Sequence, residues 1–138
     1  MRIWLSLGTA CIFSGLGRGV GAQAPCADSL TTRSGIYTTA QAQRGREVYA
    51  GYCRSCHTPE SHTGATFNAW WNKHTLWDLY AFIRDRMPKN EPSSLSDEEY
   101  AAVTAYLLRM NKMPAGANEL PMDSLVMKTI RIETAKSP

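Results

Sequence analysis

Cysteine is scarce in this chain of 138 residues: of its four cysteines, Cys53 and Cys56 stand three apart, while Cys11 and Cys26 lie well upstream. A structural zinc site needs four ligands, and no second cysteine pair exists to complete one. A thioredoxin-like redox pair calls for a βαβ setting, and no strand–helix alternation surrounds these two thiols. An excess of charge of one sign is missing as well. The formal charge is +3, and without Arg2 and Arg18, which fall in the leader described below, 13 basic residues face 12 acidic ones. That leaves no basic stripe of the kind that binds nucleic acid. Past the leader no apolar run is long enough to span a bilayer, so stable membrane insertion is not expected. Internal repeats and low-complexity tracts are absent, and so is any convincing strand. What these absences leave is one small all-α domain.

What is present centres on Cys53-Arg54-Ser55-Cys56-His57. On a helical turn, positions i and i+3 face the same way, so both sulfurs reach one edge of one ligand. Two thiols so spaced, with an imidazole directly after the second, suit covalent haem. Each thiol adds across one porphyrin vinyl group, and His57 then serves as an iron ligand. A macrocycle would also enlarge the modest core that a domain this small can bury.

The other face of such an iron needs its own ligand. Outside the leader the chain offers His62, His74 and the methionines Met87, Met110, Met113, Met122 and Met127. Met87 is the best placed, because it stands between two expected helices, just before Pro88, in an extended segment whose side chain is free to point inward. A thioether is neutral and soft, so it favours the reduced iron and raises the potential. Met113, which also precedes a proline, is the main rival. Met110 falls on an apolar helical stripe and reads as a core gap-filler. His62 and His74 lie in polar segments and read as surface histidines.

In chain order, residues 1–22 read as a secretory signal: Arg2, then the apolar Ile3 to Leu16, then small residues. Val20-Gly21-Ala22 is the expected cleavage site, because cutting after Ala24 would leave Pro25 next to the cut. Cys26 then stays near the mature start as an idle or intermolecular thiol. Residues 23–38 form a polar N-terminal arm. From Thr38 or Thr39 the pattern turns helical, with Gly45, Val48, Tyr49 and Tyr52 on one face. A glycine in that face costs about 1 kcal/mol against alanine, so close approach of another helix is expected over Gly45. Thr58 to Asn68 reads as a loop broken by Pro59 and Gly64. Thr75 opens a second helix that Pro88 ends at Met87. Ser96 with Glu99 opens a third, carrying Tyr100, Val103, Leu107 and Met110, and Asn111 to Gly116 closes it. The domain therefore spans residues 39–113. The tail, 114–138, carries enough apolar residues to wrap onto it, with a short helical turn after Asp123. Thr129 to Glu133 resembles a lone strand without an obvious partner.

These features together resemble a class I c-type cytochrome, the monohaem all-helical electron carriers of the bacterial periplasm. The match runs over residues 39–113: the Gly45/Tyr49 helix, the Cys53–His57 motif, Met87-Pro88, and Ser96 to Asn111 with Tyr106-Leu107. More narrowly, Phe67 with Trp71, Met87-Pro88, Leu95 to Tyr100 and Pro114-Ala115-Gly116 are similar to a subgroup found beside periplasmic quinoprotein dehydrogenases. The resemblance implies three main helices around one covalent haem c, with the first and last crossing near Gly45. It implies His57 and the methionine as axial ligands, and Trp71 as an indole donor to a haem propionate. Packing of Trp71 on the haem edge is the competing reading, and Tyr80 or Tyr106 are alternatives as donor. The family usually has a proline whose carbonyl accepts the ligand histidine's Nδ1 proton; here Thr63-Gly64 is followed by Ala65. The implied function is one-electron transfer in the periplasm, with a quinoprotein dehydrogenase as donor and a terminal oxidase or another cytochrome as acceptor. Two other readings stand beside it: a haem enzyme or gas sensor with an open iron position, and a cytochrome subunit docked permanently on a dehydrogenase.

Overall fold

The computed structural model describes residues 30–134. The expected signal segment and its expected cleavage site, with Cys11 and Cys26, lie outside the described residues. Five α-helices follow one another: α1 (Thr39–Tyr52), α2 (Gly64–Trp71), α3 (Leu76–Arg86), α4 (Asp97–Met110) and α5 (Ser124–Thr129). Two 3-10 turns, Thr32–Ser34 and Pro59–His62, complete the set, and no β-strand occurs among the described residues. The fold is all-α.

The helix starts are set by local chemistry. The Thr38 hydroxyl accepts the Gln41 N–H at 3.0 Å and opens α1. Thr75 and Asp78 exchange hydrogen bonds at 2.8 and 3.1 Å to open α3, and Ser96 and Glu99 do the same at 2.9 and 3.2 Å for α4. Such boxes satisfy N–H groups that the first turn leaves without intrahelical partners. α4 is buried nearly all round, and α1 lies across it. At the crossing the α1 backbone comes so close that a Cβ on Gly45 would sit 1.8 Å from the Ala102 carbonyl oxygen. That contact is the packing reason for a glycine in mid-helix.

The segment expected as a loop after the motif is more ordered than its breakers suggested. Pro59 occupies the first position of a 3-10 turn, where its missing N–H leaves no partner unsatisfied. Gly64 takes φ +59° and leads directly into α2. The three expected helices are thus joined by α2 and by the short α5.

The stretch around Arg131 does have partners, and they are irregular backbone. On one side Leu76 N–H donates to the Ile130 carbonyl at 2.9 Å, Ile132 N–H to His74 at 2.9 Å, and Lys73 N–H to Ile132 at 2.8 Å. On the other side Thr32 N–H donates to the Arg131 carbonyl at 2.9 Å and Arg131 N–H to Leu30 at 3.1 Å. The tail is thereby threaded between the N-terminal arm and the α2–α3 link. Met127, Ile130 and Ile132 lose all exposure there.

Candidate haem site

The last turn of α1 winds straight into the cysteine motif. Cys53 N–H donates to the Tyr49 carbonyl at 3.0 Å, and Cys56 and His57 N–H groups both return to the Cys53 carbonyl, at 3.1 and 3.0 Å. Neither cysteine is in a disulfide; Cys53 is half-buried and Cys56 exposed, and burial pushes the Cys53 thiol up. Both thiols and the half-buried His57 line a cavity of about 730 Å³. That volume falls within the range of roughly 300–1,000 Å³ typical of cofactor sites.

Met87 enters the same cavity from the C-cap of α3, where its backbone is extended (φ −130°, ψ 147°). Its carbonyl accepts the hydroxyl of the buried Tyr100 at 2.8 Å, and that hydroxyl accepts the Leu95 N–H at 3.4 Å. Phe67, Leu79, Ile83, Val103 and Leu107 supply apolar wall from α2, α3 and α4. The rival methionine lies elsewhere: Met113 is 3% exposed, packs in the core, and its carbonyl accepts the Tyr37 hydroxyl. Neither Met113 nor Met110 lines the cavity.

Trp71 stands half-buried in the wall, edge-on to Phe82 with ring centroids 5.4 Å apart. Trp70 beside it is 70% exposed. Of the aromatic alternatives, Tyr80 is buried away from the cavity, donates to Asp97 at 3.1 Å, and is pushed up to about 12 by burial and then by that hydrogen bond. Tyr106 packs on Tyr49 at 5.5 Å and is not part of the lining.

His74 is exposed, 3.6 Å from Asp78 at the start of α3, as a surface histidine should be. His62 departs from that expectation. It is half-buried in the cavity wall with its ring centroid 4.6 Å from that of His57, and burial followed by the His57 charge pushes its imidazole down. Its neighbour Asn111 is a residue that the sequence pattern presents only as a helix end. No spacing rule connects Asn111 to a turn 49 residues upstream.

The donor set and the lining fit a haem: two thiols on one turn, an imidazole next to them, a thioether on the wall, and an apolar enclosure of the right size. Residues 40–107, just under half the chain, also match a family model. The match supports a c-type cytochrome domain, with covalently bound haem c as its cofactor and the role of a haem-based electron carrier with redox partners. The matching model is described as cytochrome C oxidase, cbb3-type, subunit III. No curated protein and no solved structure matches the chain.

Proposed function

We propose that this protein is an exported, periplasmic one-electron carrier whose haem is tied through Cys53 and Cys56 and held axially by His57 and Met87. The observation that carries the reading is the cavity itself, which gathers those four side chains while Met113 lies in the core. When bound, the haem supplies a reversible one-electron change at iron. The chain does the rest. The α1 turn fixes the thiols, Tyr100 holds the Met87 backbone, and the apolar wall keeps water from the ring and so raises the cost of the ferric charge. Trp71, in the cavity wall, would serve the haem as propionate donor or as packing partner. With His57 and Met87 both holding the iron, no position would be left for substrate, which would set a carrier apart from a haem enzyme. Arg84, near Met87 in sequence, is bonded to Asp85 and lies over Trp77 at 5.4 Å.

The subgroup resemblance makes a periplasmic quinoprotein dehydrogenase the donor of choice, with a terminal oxidase or another cytochrome as acceptor. Met87→Ala tests the ligation. Haem should stay with the polypeptide through acidified acetone, while the methionine-to-ferric-iron absorption band disappears, the potential falls and carbon monoxide binds. An unchanged spectrum in Met87→Ala, with loss of the band in Met113→Ala, reverses the assignment. A docked dehydrogenase subunit is favoured over a free carrier by one feature, the exposed Met122, Leu125 and Val126 around α5. Gel filtration of native extract separates the two, because a free carrier elutes alone.

A further inference from the structure

His62 is the one imidazole in the cavity wall to which the proposed ligation gives no task. Its ring lies 4.6 Å from that of His57, with the planes 49° apart. Tyr49 closes on it edge-on at 6.0 Å and 87°. The backbone beneath the ring is equally constrained. Asn111 Nδ2 donates to the His62 carbonyl at 2.9 Å, and Asn111 Oδ1 accepts the Gly64 N–H at 3.1 Å. The same Nδ2 also donates to the Leu107 carbonyl at 2.9 Å, which anchors Asn111 on the last turn of α4. The 3-10 turn that carries His62 is therefore pinned to the helix that walls the cavity.

We propose that His62 is a positioning residue for His57: packed against its imidazole and tied through Asn111 to α4, it fixes the ring plane that His57 presents to the iron. The proposal rests on His57 being an axial ligand. An imidazole held only by its Cβ–Cγ bond can turn about that bond, and its plane decides how its π orbital overlaps the iron d orbitals. Groups that orient a metal-bound histidine tune the metal, and losing one typically costs about 10–100-fold in metal affinity or activity. A ring in contact on one side removes much of that rotation. Because the contact is steric, another ring of similar size should replace it.

The test uses the purified holoprotein with haem covalently bound. Low-spin ferric g values from electron paramagnetic resonance and the reduction potential are both read per haem, so a loss of fold stability alone leaves them unmoved. His62→Ala should shift and broaden the g values and change the ferrous-to-ferric ratio at a fixed applied potential about threefold. At 59 mV per tenfold for one electron, that is about 28 mV. His62→Phe should restore wild-type g values. Asn111→Ala should move them in the same sense as His62→Ala, and the double variant should add little, as expected for two residues acting through one contact. Asn111→Ala carries the test alone if His62→Ala fails to mature. Wild-type g values and potential in both alanine variants overturn the proposal, and so does a His62→Phe that departs as far as His62→Ala. His57→Ala, measured alongside, separates the two levels. If it keeps the low-spin signal, the axial assignment falls and takes the proposal with it. If it loses the signal while His62→Ala and Asn111→Ala remain wild-type, only the positioning role falls.

Discussion

At the scale of single residues, the hydroxyl of Tyr100 decides where the Met87 backbone sits. In Tyr100→Phe the Met87 carbonyl loses its donor and the Leu95 N–H its acceptor. Leaving such groups unpaired costs about 1–3 kcal/mol. On the proposed Met87 ligation, the expected outcome is a lower thermal midpoint together with faster carbon monoxide binding to the reduced protein, read by stopped flow, because the thioether would be held less firmly. Tyr80 makes a different prediction. Its folded-state pKa of about 12 lies above the ordinary tyrosine value, so the folded protein holds its proton longer than the unfolded chain does. The resulting stability is complete below pH about 10 and is lost as the pH rises through about 12. Tyr80→Phe should therefore flatten the fall in thermal midpoint over that interval, while costing about 1 kcal/mol at neutral pH through the lost bond to Asp97. An equal alkaline fall in wild type and Tyr80→Phe rules out this origin.

These residues also mark how far the sequence could be read at the site. That Cys53, Cys56 and His57 meet at one cavity is legible because residues three apart share one side of a turn, and Met87's place in its wall because the proline after it stops a helix and frees a side chain. Tyr100 is legible only as part of an apolar stripe. That its hydroxyl reaches a carbonyl 13 residues upstream follows from how α3 and α4 pack, which no local pattern encodes. His62 and Asn111 are illegible for the same reason. A polar flanking sequence makes His62 look solvent-exposed, and its ring meets His57 and Tyr49 only because the 3-10 turn folds back onto the motif and α1.

At the scale of elements, the α1–α4 crossing is the most constrained contact. Alanine would normally improve a helix interior by about 1 kcal/mol over glycine. At Gly45 the added methyl would meet the Ala102 carbonyl oxygen, at 1.8 Å, and backbone cannot step aside as a side chain can. Overpacking costs typically 1–3 kcal/mol. Gly45→Ala should therefore lower stability by at least about 2 kcal/mol in denaturant titration; a neutral or stabilising result contradicts the close crossing. This crossing was legible, since a glycine on an otherwise apolar face needs a packing reason. α2 was harder to see. Pro59 and Gly64 are turn residues by habit, and they mask that Phe67, Trp70 and Trp71 recur at helical spacing. The structure uses the proline to start one turn and the glycine to enter the next helix.

At the scale of the whole molecule, the tail is part of the core rather than an appendage. Ile130 is fully buried between the arm and the α2–α3 link, so Ile130→Ala should cost about 2–5 kcal/mol. The haem spectrum and potential should stay as in wild type, because Ile130 is not in the cavity lining. A spectral change would show that the tail reaches the haem environment through the packed core. The sequence supplied the tail's apolar residues and the Asp123 cap of α5, whose carboxylate accepts the Leu125 N–H at 2.7 Å. It did not supply the partners of Ile130 to Ile132. Strand periodicity identifies regular neighbours, and here the neighbours are a few residues of arm and a linker.

The pairing of Leu30 with Arg131 brings the two ends of the folded body side by side. Whatever is tethered to one terminus, be it an anchor, a linker or a second domain, is moored within a few residues of the other. Attachments at either end therefore leave the folded body from neighbouring points.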